Sequence, residues 1–147
     1  MTRQFQKLAH SLYECKYHVV FCPKYRYKIL ESEVKQYMTQ KLYDLSGRKD
    51  GLEIVELNIQ VDHVHVVLSI APKYAVSSIV GYLKGKTALG CFDRFPQLRK
   101  RYWGQHLWSR GYCVSSIGLD EERIRKYVRW QHKRDQDADA EQGKLFE

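Results

Sequence analysis

Residues 61–70 read VDHVHVVLSI, and no other stretch constrains the fold as much. Its valines and isoleucine are stiff at χ1 and suit a pleated, buried strand. Strand alternation puts Val64, Val66, Leu68 and Ile70 on one face, which must be the core face. His63, His65, Val67 and Ser69 share the other. Two imidazoles on one side of an otherwise apolar strand ask for an explanation.

The neighbouring segments supply the rest of a sheet. Residues 12–22, LYECKYHVVFC, alternate Tyr17, Val19 and Phe21 against His18, Val20 and Cys22, and a strand is expected there. A basic loop, PKYRYK, follows at 23–28. Residues 31–47 place Val34, Met38, Leu42 and Leu45 at helical spacing, with Gly47 and Gly51 bracketing the end. Strands are expected over Leu52–Gln60 and Asp62–Ile70. Residues 75–92 carry Val76, Ile79, Val80, Leu83 and Thr87 at i, i+3, i+4 spacing, which predicts a second helix with Lys84 and Lys86 projecting from it. After RFPQLRKRYWGQHLW, a strand is expected near Leu107–Ile117. Gly118 breaks the chain, and Asp120 caps a last helix over 121–134, with Glu121 and Glu122 in the first turn, where the helix dipole favours them.

The order β-α-β-β-α-β-α begins with the split βαβ pattern. The fold class is therefore α+β, ferredoxin-like: an antiparallel four-stranded sheet, helices on one face, and a C-terminal helix. One domain over residues 1–134 and a polar, frayed tail over 135–147 are expected. No run of 18 or more apolar residues offers a membrane span, and MTRQFQKLAHSLYECKY lacks a signal peptide's apolar region, so a cytoplasmic protein is expected. Cys15, Cys22, Cys91 and Cys113 are scattered without a CxxC pair. This argues against a zinc ribbon or disulfide framework and for reduced thiols.

Charge narrows the function. The formal net charge is +8, and five acidic residues against one lysine past Arg134 leave the preceding body at +12. Such a body invites a polyanion, nucleic acid first. Eleven tyrosines and three tryptophans, many beside Lys or Arg, suit stacking on unpaired bases. Lys24, Arg26, Lys28, Lys84 and Lys86 are the candidate DNA contacts.

The pair His63/His65 is a natural start for a metal site, since i, i+2 spacing lets two neutral rings converge on one ion. Two half-exposed strand histidines without a ligand are the plain alternative. Familiar HxH classes do not match: the chain lacks the HxHxDH of metallo-β-lactamases, a third alternating His, and paired HxS/T motifs. The last helix offers a partner. In RIRKYVRWQHKR, Ile124, Tyr127, Val128 and Gln131 form one stripe, and Tyr127 and Gln131 lie one turn apart, about 6 Å between side-chain bases. Arg123, Arg125, Lys126, Arg129, Lys133 and Arg134 surround them.

Together, YHVVFCPKYRYKIL, DHVHVVLSI, LWSRGYCVSSIG and KYVRWQ, in that order from about His10 to Arg134, resemble the one-tyrosine transposases of the HUH class (His, hydrophobic residue, His), carried by small insertion sequences that move as single strands. The resemblance implies a nucleophile at Tyr127 and metal ligands at His63, His65 and Gln131. It also implies a 5′-phosphotyrosine intermediate, hairpin ends of single-stranded DNA as substrate, and a homodimer whose sites pair the histidines of one chain with the tyrosine of the other. His and Gln donors with oxygen chemistry suit Mg²⁺ or Mn²⁺. The cations beside Tyr127 are expected to favour phenolate, since a phenol's ordinary pKa lies near 10. A domesticated relative processing chromosomal hairpin repeats, and a non-catalytic single-strand binding module, remain the alternatives.

Overall fold

A computed structural model describes residues 5–8, 11–102 and 106–145. A short hairpin, β1 (Gln6–Leu8) and β2 (Ser11–Tyr13), precedes the main sheet. That sheet is built from β3 (Lys16–Phe21), β4 (Leu52–Gln60), β5 (His63–Ile70) and β6 (Cys113–Ser115), in the order β4-β5-β3-β6 with antiparallel pairing throughout. Helices α1 (Ser32–Gly47) and α2 (Val76–Arg94) fill the two crossovers, a short α3 (Pro96–Arg101) follows, and α4 (Glu121–Leu145) ends the chain. This is the ferredoxin-like arrangement expected from the element order.

The core forms where the patterns placed it. Val64, Val66, Leu68 and Ile70 of β5 are buried with Val19 and Phe21 of β3, with Met38, Leu42 and Leu45 of α1, and with Ile79, Val80 and Leu83 of α2. Each such side chain contributes about 1.5–3 kcal/mol by leaving water. Gly51 sits at φ +88°, and a Cβ there would lie 2.6 Å from that of Ala71, so the turn out of α1 into β4 requires glycine.

Strand β4 reaches the histidines through a bulge. Its register against β5 shifts between Ile54 and Glu56. Up to Ile54 the core-facing residues are even-numbered; beyond the shift they are Leu57 and Ile59. One extra residue inverts the phase. Glu56, Asn58 and Gln60 are thereby turned onto the face of His63 and His65, opposite Val67, His65 and His63 respectively.

Three expectations need correction. The strand expected over 12–22 is two strands, because Tyr13 pairs back onto β1 whereas the residues from Lys16 pair with β5 and β6. The strand expected near 107–117 shrinks to Cys113–Ser115. Gly111 takes φ +86°, and Lys84 Nζ draws the Ser109 and Gly111 carbonyls toward α2 at 2.8 Å each. The tail expected to fray from Asp135 is helical to Leu145. Alanine, Gln and Glu favour helix there, and Asp135 is buried with its carboxylate fully engaged. The cap at Asp120 is present, its Oδ1 accepting from the Arg123 N–H at 2.8 Å. Among the described residues no helix is long and apolar enough to cross a membrane.

Candidate active site

Helix α4 packs on the sheet face opposite α1 and α2. Ile124 and Val128 close over Val20 of β3, with Leu119, Cys113 and Tyr127 partly buried beside them. Val20 is the ladder partner of His65, so this is the histidine face. Between helix and sheet lies a cleft of about 590 Å³. Its floor is His63, His65, Asn58 and Gln60; its α4 wall is Ile124, Val128, Arg125 and Arg129; Arg26 stands at its rim. Two imidazoles, amide and carboxylate oxygens and a basic margin make it a place for a phosphate and a cation.

The imidazoles are held in defined ways. His63 Nδ1 lies 2.9 Å from Asp62 Oδ1, and Arg26 Nε donates to Asp62 Oδ2 at 2.9 Å. Burial alone would raise the Asp62 carboxyl, but the hydrogen bonds from Arg26 and His63 outweigh it and hold the group below its ordinary value. His65 Nε2 lies 3.2 Å from Nδ1 of His18. Burial, then repulsion from His18, lowers the pKa of His65, which favours the neutral ring that a metal ligand must be.

Tyr127 and Gln131 share the stripe of Ile124 and Val128 on α4, Tyr127 partly buried beside them and Gln131 buried, but neither is among the residues that line the cleft. The Tyr127 hydroxyl donates to Gln131 Oε1 at 3.4 Å, and Gln131 Nε2 donates to Asp135 Oδ1 at 3.2 Å. Burial pushes the Tyr127 phenol above its ordinary value, and Cys22, Cys113 and Asp135 add to the rise. This corrects the expectation that neighbouring cations favour phenolate. Arg125 and Lys126 are paired to Glu121 and Glu122 in solvent, Arg134 lies over the Trp130 ring, and the Tyr127 ring itself packs beside Val20, Ile124 and Val128.

The sequence comparisons decide the family. The model for IS200-like transposases matches residues 11–131. The chain belongs to the IS200-like transposases. The transposase for insertion sequence element IS200 of Salmonella typhimurium is 37% identical over 137 residues, covering 93% of this chain and 88% of its own. The ISDra2 transposase TnpA of Deinococcus radiodurans is 34% identical over 133 residues, covering 90% and 94%. A crystal structure of a transposase candidate from Deinococcus radiodurans superposes with TM-score 0.76 at 33% identity, over 86% of this chain and 98% of that one. A REP-associated tyrosine transposase bound to a REP hairpin shares the fold, with TM-score 0.54 at 13% identity over 87% of this chain and 67% of that one.

In this IS200-like transposase the expected site residues divide into two groups. His63 and His65 meet in the cleft; Tyr127 and Gln131 stand together beside it. Among the described residues, no three His, Cys, Asp or Glu side chains converge as a metal site. Of the candidate DNA contacts, Lys28 and Lys86 are exposed, and Lys24 lies 5.1 Å over the Tyr25 ring. Arg26 is paired to Asp62. Lys84, expected to project, is half-buried and clamps two carbonyls, and burial lowers its pKa. Sequence reasoning passed over His18, Asp62 and Asp135. Asp62 adjoins His63, and Asp135 is one turn past Gln131 on the same stripe, so both carried a legible spacing. His18 needed the register of β3 on β5.

Proposed function

We propose that this transposase cleaves and rejoins single-stranded, hairpin-bearing ends of its own element through a 5′-phosphotyrosine at Tyr127, with Mg²⁺ or Mn²⁺ bound by His63, His65 and Gln131. The observation that carries the reading is the placement of His63 and His65 in one cleft under the helix that bears Tyr127 and Gln131. The donor set fits the ion. Asp62 engages Nδ1 of His63 and leaves Nε2 for a ligand bond. His65 favours its neutral form, and the oxygens of Asn58 and Gln60 lie on the same face. A bound divalent ion would act as a Lewis acid toward a phosphate oxygen.

The chain's own groups do the rest. Arg26, Arg125 and Arg129 draw the backbone phosphate to the cleft. The Tyr127 oxygen attacks phosphorus, its proton leaves, and the P–O3′ bond breaks. The 3′ oxygen takes up a proton and departs as a hydroxyl, while the 5′-phosphate stays on tyrosine. Bond energy is conserved, so a second 3′-OH can reverse the step without a nucleotide cofactor. The raised phenol pKa fits a nucleophile that is quiet until phosphate and ion arrive.

The reading includes a C₂ homodimer with composite sites, in which α4 of one chain serves the histidines of the other. Incubating labelled single-stranded end hairpins with the protein and Mg²⁺ tests the chemistry on a denaturing gel. A metal-dependent covalent adduct is expected, and an adduct that persists in Tyr127→Phe would overturn the nucleophile.

A further inference from the structure

Asp135 lies beyond every residue the proposed chemistry uses, yet it is 5% exposed and engaged on three sides. Its Oδ2 accepts from Ser109 Oγ at 2.6 Å and from the Tyr25 backbone N–H at 3.1 Å. Its Oδ1 accepts from Gln131 Nε2 at 3.2 Å. A carboxylate accepts and does not donate. The Gln131 amide must therefore turn its NH₂ toward Asp135 and its Oε1 away, the end that meets the Tyr127 hydroxyl. Asp62 does the same for His63. With Oδ1 at 2.9 Å from Nδ1, it favours the proton there and leaves the lone pair on Nε2.

The two carboxylates share an anchor. Tyr25 gives its N–H to Asp135, and the next residue, Arg26, gives its Nε to Asp62. Tyr25 and Arg26 sit at φ 63° and 54°, two successive non-glycine residues in the left-handed region. Such backbone persists only where its surroundings over-determine it. The strain aims one residue's N–H at the helix and the other's side chain at the sheet.

We propose that Asp62 and Asp135, tethered to adjacent residues of this one turn, are positioning residues that present Nε2 of His63 and Oε1 of Gln131 to the divalent ion. The inference rests on the metal reading above. The Gln131–Asp135 pair travels together on one helix, while its tie to Tyr25 and Ser109 belongs to the docked position of α4 described above.

Two measurements on the full-length protein test it. Manganese titration followed by EPR reads ion affinity without DNA, and ¹⁵N NMR of the imidazoles reads the His63 tautomer without an ion. Asp62→Ala removes the acceptor. Asp135→Asn keeps an acceptor for Ser109 and Tyr25 but gives the Gln131 amide a donor to face, so it can turn over. Each should weaken Mn²⁺ binding by about 10- to 100-fold, and Asp62→Ala should shift the His63 proton toward Nε2. Asp62→Asn, which can still accept from Nδ1–H, should recover most of the affinity. Thermal unfolding of each variant checks that the fold is kept. Mn²⁺ bound equally by parent and variants would overturn the positioning role and leave the metal reading standing. A parent protein that takes up no Mn²⁺ would overturn the metal reading, and the positioning role with it.

Discussion

Helix α4 carries both Tyr127 and Gln131, yet its apolar hold on the sheet is separate from the main core. Val20, Ile124 and Val128 form that hold, while the large cluster with α1 and α2 fills the opposite sheet face. Ile124→Ala tests whether α4 opens by itself. Truncating a buried isoleucine to alanine costs about 2–5 kcal/mol. Ile124 is 7% exposed and belongs to a three-residue cluster, so the low end, about 2–3 kcal/mol, is the appropriate figure. If α4 undocks as a unit, the whole of that cost falls on its opening equilibrium. At 1.4 kcal/mol per tenfold, the open population rises about 30- to 140-fold. Hydrogen exchange followed by NMR should show the α4 amides exchanging faster by that factor, with the amides of β5, α1 and α2 nearly unchanged. The polar anchor at Asp135 remains in the variant, so the helix should still dock most of the time. An equal rise in β5 and α1 would mean that α4 leaves only when the whole domain unfolds. A helix exchanged between subunits would then require global opening, and the composite-site reading would lose its physical basis.

Other outcomes rest on the same geometry. His63→Ala or His65→Ala should abolish strand cleavage in the denaturing-gel assay and leave hairpin binding in a mobility shift largely intact; EDTA should do the same, and cleavage that survives it would remove the ion from the mechanism. Binding itself should weaken steeply with added salt, since Lys and Arg neutralise phosphates. Mixing His63→Ala protein with Tyr127→Phe protein, each inactive alone, should restore cleavage by pairing intact histidines with an intact tyrosine; no recovery, with heterodimers shown to form, would establish sites within one chain. Because folded His65 resists a proton that the unfolded chain accepts near pH 6.5, the unfolded state binds more protons, and stability should fall as pH drops from 7.5 through that value. Urea unfolding should show a shallower pH dependence in His65→Gln, and an unchanged slope would refute the assignment.

The parts of this molecule legible in sequence are those set by local periodicity. Met38, Leu42 and Leu45 repeat at helical spacing and are buried; Val64, Val66, Leu68 and Ile70 alternate and are buried. Asp120 before two glutamates announced a helix start, and its carboxylate caps it. Where the expectation slipped, a distant partner had overridden the local pattern. Residues 107–117 have strand composition, and Leu107–Ser109 do pair with Cys22–Lys24 through the Trp108–Pro23 bridge, but Lys84, 25 residues from Ser109 in sequence, takes the Ser109 carbonyl and the ladder resumes only at Cys113. Glu14 and Cys15 sit where one run of alternation is divided between two sheets. The acidic, alanine-bearing tail has the composition of a solvated end, and it takes the distant Ser109 hydroxyl and Tyr25 N–H to reveal why Asp135 holds its place.

The same distinction separates the two halves of the site. His63 and His65 were readable because strand alternation fixes their common face without any knowledge of the rest of the fold. Tyr127 and Gln131 were readable as a stripe, but a stripe does not say which surface it meets. That depends on the rotation of α4 about its axis, which is set by Ile124 and Val128 against Val20 and by Asp135 against Ser109 and Tyr25. Those contacts turn the tyrosine to the side of the cleft in its own chain. Tyr127 is itself partly buried against that cluster and Gln131 is held by Asp135, so the contacts that fix the rotation of α4 also fix the positions of these two side chains.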